Sequence, residues 1–315
     1  MRQNPVNLST GSGLGAILLW SATFAVARSL SEQVGPMTAG TAAYLVGGLF
    51  CLVRLRWSKT PISYFLKLPR RYLLGCGFLF VLYAALIYSA VGLAKDREQL
   101  LEVALVNYLW PALTILLSLP ILKLRARVWL LPGTALALTG VFLVMTQGAH
   151  VSWLSFRKHL QSNPVPFILA LGAAIAWALY SNLARRWAAP EGGGAVELFV
   201  PVTGLVLLAM RLLTTEPTGW GLRTAVEALG LAAISTLAYI LWDAAMRKGN
   251  LLLVAACSYF TPLLSTLVSC VYLNVSPSPK LWVGCLLLVA GSLVSWVSVS
   301  DRPRSTEPGG STASA

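Results

Sequence analysis

Ala-Leu-Val-Asn-Tyr-Leu-Trp-Pro at 104–111 has a counterpart in Ala-Ala-Cys-Ser-Tyr-Phe-Thr-Pro at 255–262. Both octets lie in the middle of long apolar runs, 151 residues apart, and end on a proline three residues after a tyrosine. The same offset carries Gly133 to Gly284 and Gly140 to Gly291 in the run that follows each octet. Earlier in each half, Gly15-Ala16 with Trp20 is matched by Gly172-Ala173 with Trp177, at an offset of 157. The offsets differ because the connection around Lys95–Glu98 is about three residues longer than its counterpart and other loops vary too. A shared offset across two consecutive runs is the signature of an internal repeat, whereas one Gly or Pro match alone is weak.

Composition sets the class in which that repeat is read. Of the 315 residues 57% are hydrophobic and 11% charged, and the mean hydropathy is +0.71. A soluble domain carries roughly 25% charged residues, so this chain has too few to cover a water-facing surface. Its apolar runs approach the ~20 residues that cross a bilayer as a helix. The net charge of +13 comes from short Lys/Arg clusters between apolar runs. That pattern fits membrane orientation and anionic lipid headgroups as partners, not nucleic acid. The five cysteines (Cys51, Cys76, Cys257, Cys270 and Cys285) all fall inside apolar runs without a C-x-x-C pair, so no disulfide framework or metal site is expected.

The pattern predicts an all-α integral membrane protein with ten transmembrane helices, at 11–30, 36–55, 72–94, 99–122, 128–147, 166–187, 194–213, 224–247, 250–274 and 280–300. Residues 1–10 read as an N-terminal arm with no cleavable signal. Residues 11–147 form the first five-helix repeat, 148–165 a connecting loop and 166–300 the second repeat. Residues 301–315, rich in Pro, Gly, Ser and Thr, read as a disordered tail. Within the loop, Trp153, Leu154, Phe156 and Leu160 suit a segment lying along the membrane interface. Lys and Arg on the N-terminal side of these spans outnumber those on the other side roughly two to one, which places both termini in the cytoplasm. Because five is odd, the second half crosses the membrane in the opposite sense to the first. Inverted-topology repeats build alternating-access carriers whose substrate sits near the bilayer midplane.

Candidate site residues follow from that expectation. Pro111 and Pro262 lack an N–H, which frees the carbonyls of Asn107 and Ser258 near the membrane centre. Both prolines are candidate hinges, and both polar residues are candidate ligands for a substrate. Trp20, Tyr44, Tyr83, Trp110, Trp177, Tyr180, Tyr239, Trp242 and Tyr259 lie well inside spans and suit a cavity for a flat solute. By contrast Trp57, Tyr64, Tyr72, Trp129, Trp153 and Trp282 fit interfacial belts. Asp243, deep in the eighth span, has two readings: a substrate-ammonium or proton site, or an ion pair with Arg247 one turn on. Glu102 and Glu197 sit near span ends and read as solvated, and Arg28 can reach Glu32. No nucleophile elbow, Walker loop or H-x-x-x-H is present, so neither enzyme activity nor a cofactor is expected.

The paired Gly-x6-Gly helices and the two five-helix halves resemble the EamA repeats of the drug/metabolite transporter superfamily. Glu-Val-Ala-Leu-Val-Asn-Tyr-Leu-Trp-Pro at 102–111, Cys-Ser-Tyr-Phe-Thr-Pro at 257–262, Leu-Trp-Ser at 19–21 and Ala-Tyr-x-x-Trp at 238–242 resemble the aromatic amino acid exporters within it. The resemblance implies efflux of phenylalanine, tyrosine and tryptophan across a bacterial inner membrane, with threonine or methyl viologen as further substrates. It also implies a central cavity between the halves, opened in turn to either side. Asp243 stands where that family more often carries an uncharged amide, which leaves energy coupling and selectivity open. A monomer is expected, with a dimer as the alternative. Competing readings are a multidrug or metabolite exporter with another substrate, a non-transporting receptor or scaffold, and a membrane-embedded enzyme.

Overall fold

The computed structural model describes residues 8–146, 151–189, 193–217, 219–272 and 279–300. The expected N-terminal arm (apart from its last three residues) and the C-terminal tail lie outside them. Among the described residues the regular structure is helical apart from one two-residue antiparallel pair, β1 (Arg125–Ala126) with β2 (Val299–Ser300). In chain order the helices are α1 (Leu8–Val34), α2 (Pro36–Trp57), α3 (Ile62–Leu66), α4 (Gly77–Gly92), α5 (Arg97–Asn107), α6 (Trp110–Leu122) and α7 (Leu130–Met145). There follow α8 (Trp153–Ser162), α9 (Val165–Trp187), α10 (Val196–Arg211), α11 (Leu222–Lys248), α12 (Leu251–Cys257), α13 (Phe260–Tyr272) and α14 (Pro279–Val297). A π-helical turn, Arg71–Cys76, leads into α4.

Local chemistry sets the helix ends. Asp96 caps α5 by accepting from the Gln99 N–H at 2.8 Å, and Asn250 caps α12 through the Leu253 N–H at 3.1 Å. The α2 start uses a carboxylate from far along the chain: Glu216 accepts from the Met37 and Thr38 N–H groups at 2.9 and 2.7 Å. A negative group there satisfies two orphan donors and favours the positive end of the helix. The prolines of the matched octets act as starts. Pro111 lies in the first turn of α6 and Pro262 in that of α13, where a missing N–H costs nothing. The helix therefore breaks at Tyr108–Leu109 in one half and at Ser258–Tyr259 in the other. α1 bends by 44° between Thr23 and Val26. Ser21 and Thr23 there bond back to the carbonyls of Ile17 and Trp20, a competition with backbone pairing that bends helices.

Among the described residues, six helical stretches are long and apolar enough to cross a bilayer, or seven with the bent α1. They are 36–57, 71–92, 97–122, 165–187, 222–248 and 279–297. The remaining expected spans are shorter or interrupted. α7 and α10 have 16 residues each, about 24 Å of helix against a ~30 Å hydrocarbon layer. The expected 250–274 span is divided by the break after Cys257.

Helix packing exchanges partners between the halves. α1 packs on α11 and α4 on α9; α2 packs on α10, and α7 on α14. The α7–α14 contact runs through glycines. A Cβ on Gly140 would lie 2.6 Å from the Leu288 nitrogen and 2.7 Å from the Gly284 carbonyl oxygen. One on Gly291 would overlap the Ala137 backbone and reach the Gly133 carbonyl. Shifting each residue by 151 converts the first set of contacts into the second. Likewise Gly48 meets Pro201 while Gly204 meets the Leu45 backbone, a pair exchanged by a shift of 156. Small residues let helix backbones approach where lipid supplies no hydrophobic drive between helices. Large apolar side chains such as Phe78, Ile168 and Leu286 lie exposed on the outside, the face hydrocarbon would cover.

Candidate functional site

The aromatic residues of the spans converge on one cluster contributed by α1, α2, α4, α6, α9 and α11. Trp177 of α9 is near its centre. Its ring lies 4.7 Å from Tyr83, 5.1 Å from Tyr180, and 5.8 Å from both Trp20 and Tyr239. Trp20 also meets Trp242 at 5.2 Å, and Trp242 meets Trp110 at 5.3 Å, edge to face. Tyr44 and Tyr239 stack at 5.7 Å, and the Tyr44 hydroxyl donates to that of Tyr239 at 2.7 Å. Trp177, Tyr180 and Trp242 are buried, whereas Trp20, Tyr83, Tyr239 and Asn107 are half-buried.

The helix breaks supply polar groups beside those rings. The Asn107 side chain lies at the end of α5 next to the Tyr83 hydroxyl, and its Oδ1 is buried with no hydrogen-bond partner. Ser258, its repeat counterpart, is occupied. The Ser258 hydroxyl donates to the Ala255 carbonyl at 2.6 Å, and its own carbonyl accepts from the Thr261 N–H at 3.1 Å. The carbonyl expected to be free is thus re-satisfied by a tighter turn. Tyr259, adjacent in sequence, is fully buried with an unpartnered hydroxyl.

Asp243 takes the ion-pair alternative of its two readings. Its Oδ2 lies 2.6 Å from the Arg247 Nε, and its Oδ1 accepts from both the Tyr72 and Tyr180 hydroxyls at 2.9 Å. A buried carboxylate with one cation and two O–H donors is compensated, and no lone charge faces the rings. Tyr72 is corrected from an interfacial belt position to full burial, because the π-helical turn points it inward to Asp243. Glu102 and Glu197 are corrected too. Glu102 is fully buried: α8 folds over it, with the Ser155 hydroxyl at 2.8 Å and the His159 Nδ1 at 2.9 Å. Glu197 is nearly buried and paired with Arg54 of α2. Arg28 does pair with Glu32, at 3.2 Å. Trp57, Trp129, Trp153 and Trp282 stand exposed, as belt residues do, and Tyr64 packs against Phe65.

Sequence reasoning missed several members of the cluster. Phe80 contacts Tyr44, Trp177, Tyr180, Phe199 and Tyr239 with ring separations of 5.0–6.4 Å. It carries no polar tip and was indistinguishable from ordinary packing. Ser181, one residue after Tyr180, accepts from the Trp242 indole N–H at 3.2 Å.

The residue ranges that build this site match the EamA-like transporter family twice, over residues 10–146 and 165–297. The chain belongs to the EamA-like transporter family. It is therefore a membrane transporter by family, and the apolar helices agree. A relative in Escherichia coli K12, the aromatic amino acid exporter YddG, is 31% identical over 91% of this chain and 96% of its own length. A YddG of Ancylobacter novellus, also an aromatic amino acid exporter, is 31% identical over 90% and 95%. A solved crystal structure superposes with a TM-score of 0.74 at 27% identity, over 91% of this chain and 96% of the other.

Proposed function

We propose that this EamA-family chain exports aromatic amino acids from the bacterial cytoplasm across the inner membrane by alternating access. Relatives named as aromatic amino acid exporters, similar over nearly their whole length, support the substrate class. The observation that carries the reading is the ring cluster around Trp177, with half-buried Trp20, Tyr83 and Tyr239 beside the unpartnered Asn107 oxygen. Flat rings stack on a substrate's aromatic side chain, and an orphan amide oxygen accepts from its ammonium group. Pro111 and Pro262 mark the helix breaks about which the site changes shape. Trp110, Trp242, Tyr44 and Tyr180 support the rings, and Ser258 and Tyr259 form the second break.

In this reading the chain has ten spans in two inverted halves, 11–147 and 166–300. α5 with α6, and α12 with α13, each count as one broken span, while α3 and α8 lie at the interfaces. Support comes from the exchanged packing, in which α1–α11 and α4–α9 are repeat images, and from the reciprocal glycine contacts of α7 with α14. Both termini face the cytoplasm, lipid surrounds the outside, and a monomer suffices because one chain supplies every site residue.

A cationic drug is the second reading, since ring faces also hold cations. The pairing of Asp243 with Arg247 favours a zwitterion over a net cation, because the carboxylate nearest the rings is already neutralised. Liposomes containing only the purified protein test the proposal through counterflow of labelled phenylalanine and tryptophan. Saturable flux competed by unlabelled tryptophan is the expected result. Folded protein that moves methyl viologen but neither amino acid would overturn the substrate assignment.

A further inference from the structure

The two ends of the ring cluster are closed by different chemistry. At the end where α4 begins and α9 and α11 finish, Asp243 and Arg247 pair with side chains 1% and 7% exposed. The Tyr72 and Tyr180 hydroxyls bind the other carboxylate oxygen, and Tyr72 in turn accepts from the Ala195 N–H at 3.1 Å. Gly194 lies directly over the pair: a Cβ there would run into the carboxylate and lie 3.0 Å from the Arg247 guanidinium. Arg185 of α9 donates to the carbonyls of Arg247 and Gly249. One buried knot thus joins the π-helical turn before α4, the end of α9, the segment before α10 and the end of α11. At the opposite end the ties are spread out: Glu227 of α11 accepts from Ser29 and Gln33 of α1 at 3.1 and 2.8 Å, Glu102 of α5 is held by α8, and Arg97 and Glu32, 3.5 Å apart and largely exposed, link α5 to α1. A buried pair is costly to break by removing one partner, whereas an exposed one contributes little.

The repeat does not require this asymmetry. A Cβ on Gly15 would touch Leu241 of α11, and one on Gly172 would touch Leu86 of α4. These equivalent contacts align α11 with α4 at a shift of 155. Asp243 and Arg247 then correspond to Tyr88 and Gly92, which form no ion pair. The knot is an addition on one face, and it stands at the end rich in Arg and Lys.

We propose that the Asp243–Arg247 pair with Tyr72 and Tyr180 is a one-sided latch that keeps the site closed toward the Arg/Lys-rich face and must part before solute enters there. This inference rests on the alternating-access reading. Closure comes from shared hydrogen bonds: Asp243 of α11 grips the π-helical turn before α4 through Tyr72 and α9 through Tyr180, so the three elements separate only if the carboxylate gives up its donors. Asp243→Asn keeps the size of the side chain but removes the negative charge that holds the Arg247 Nε and the two tyrosine hydroxyls together. Tyr72→Phe removes the hydroxyl's two hydrogen bonds, to Asp243 and from the Ala195 N–H, and leaves the ion pair intact.

Cys76 is a native reporter, fully buried one turn beyond Tyr72. The test uses full-length protein with the other four cysteines replaced by alanine, in vesicles of each orientation, and follows Cys76 labelling by a membrane-impermeant maleimide. Labelling should be slow in the parent and rise about tenfold in Asp243→Asn, from the Arg/Lys-rich face alone, with a smaller rise in Tyr72→Phe. Rates equal to the parent in both variants, or an equal rise from both faces of a monodisperse protein, overturn the latch. If Asp243→Asn does not elute as folded protein, Tyr72→Phe decides alone. Because labelling needs no substrate, faster labelling without phenylalanine or tryptophan flux keeps the latch and discards the substrate. Flux with unchanged labelling does the reverse.

Discussion

Asn107 and Ser258 occupy the same place in the two halves yet end with different chemistry. The Ser258 hydroxyl reaches the Ala255 carbonyl within the turn, while the longer Asn107 amide projects past the turn to Tyr83 and leaves Oδ1 unpartnered. An orphan acceptor beside half-buried rings gains most from a charged donor, about 1.5–3 kcal/mol. Asn107→Ala should therefore weaken half-saturation for phenylalanine counterflow by roughly 10- to 100-fold while the protein stays folded. Ser258→Ala should change it far less, and equal losses in the two variants would contradict the assignment. The charged residues teach a related lesson. Asp243 was recognisable as a costly group in an apolar run with an i,i+4 partner in Arg247, whereas Glu102 and Glu197 read as solvated because they lie near span ends. The donors from Tyr72, Tyr180, Ser155, His159 and Arg54 come from distant elements, so no local pattern announced them.

At the scale of helices, the broken spans were legible because a proline states its own constraint: no N–H, and a fixed φ. Reading Pro111 and Pro262 as kinks within a helix was nonetheless incomplete, since both sit in the first turn of a new helix. The glycines of α7 and α14 were visible as a spacing, but their purpose lies in the contact between the two helices. Gly291→Val puts a branched side chain into the Ala137 backbone, and overpacking of this kind costs about 1–3 kcal/mol or more. Its thermal midpoint in detergent should fall by several degrees. Gly230→Ala in α11 meets no atom within 4 Å and should leave the midpoint unchanged or raise it, as helical Gly→Ala does. A parallel fall in both would show that close approach at α7–α14 is not what the glycine provides.

For the whole molecule, the exchanged partners of α1, α4, α9 and α11 bring one half's rings against the other's, so the cluster exists only when both halves are present. The proposed inverted pair of five-span halves makes the number of spans even, so in that reading both ends share one face. Protease-cleavable tags on the two termini should both be cut from the cytoplasmic face, in inside-out vesicles and not in intact cells. A tag pair cut from opposite faces would require an odd number of spans and overturn the two-half arrangement. The short α7 and α10 bear on the same point, because 16 residues span the bilayer only with help from flanking turns or local thinning.

Composition and periodicity by themselves determined the solvent of this protein, its helical class, its internal repeat and the places where its helices break. Each of those properties depends on residues close together in the chain: apolar runs of bilayer length, glycine spacing, and prolines without an N–H. Only the tertiary structure decided which polar groups are spent and which are left. Asp243 and Glu102 are satisfied by partners whose approach depends on how helices dock, and Ser258 by its own turn, whereas the Asn107 oxygen is left without a partner. Hydrogen bonds and ion pairs act over a few ångströms, and residues more than a hundred positions apart come within that range only once the helices have packed.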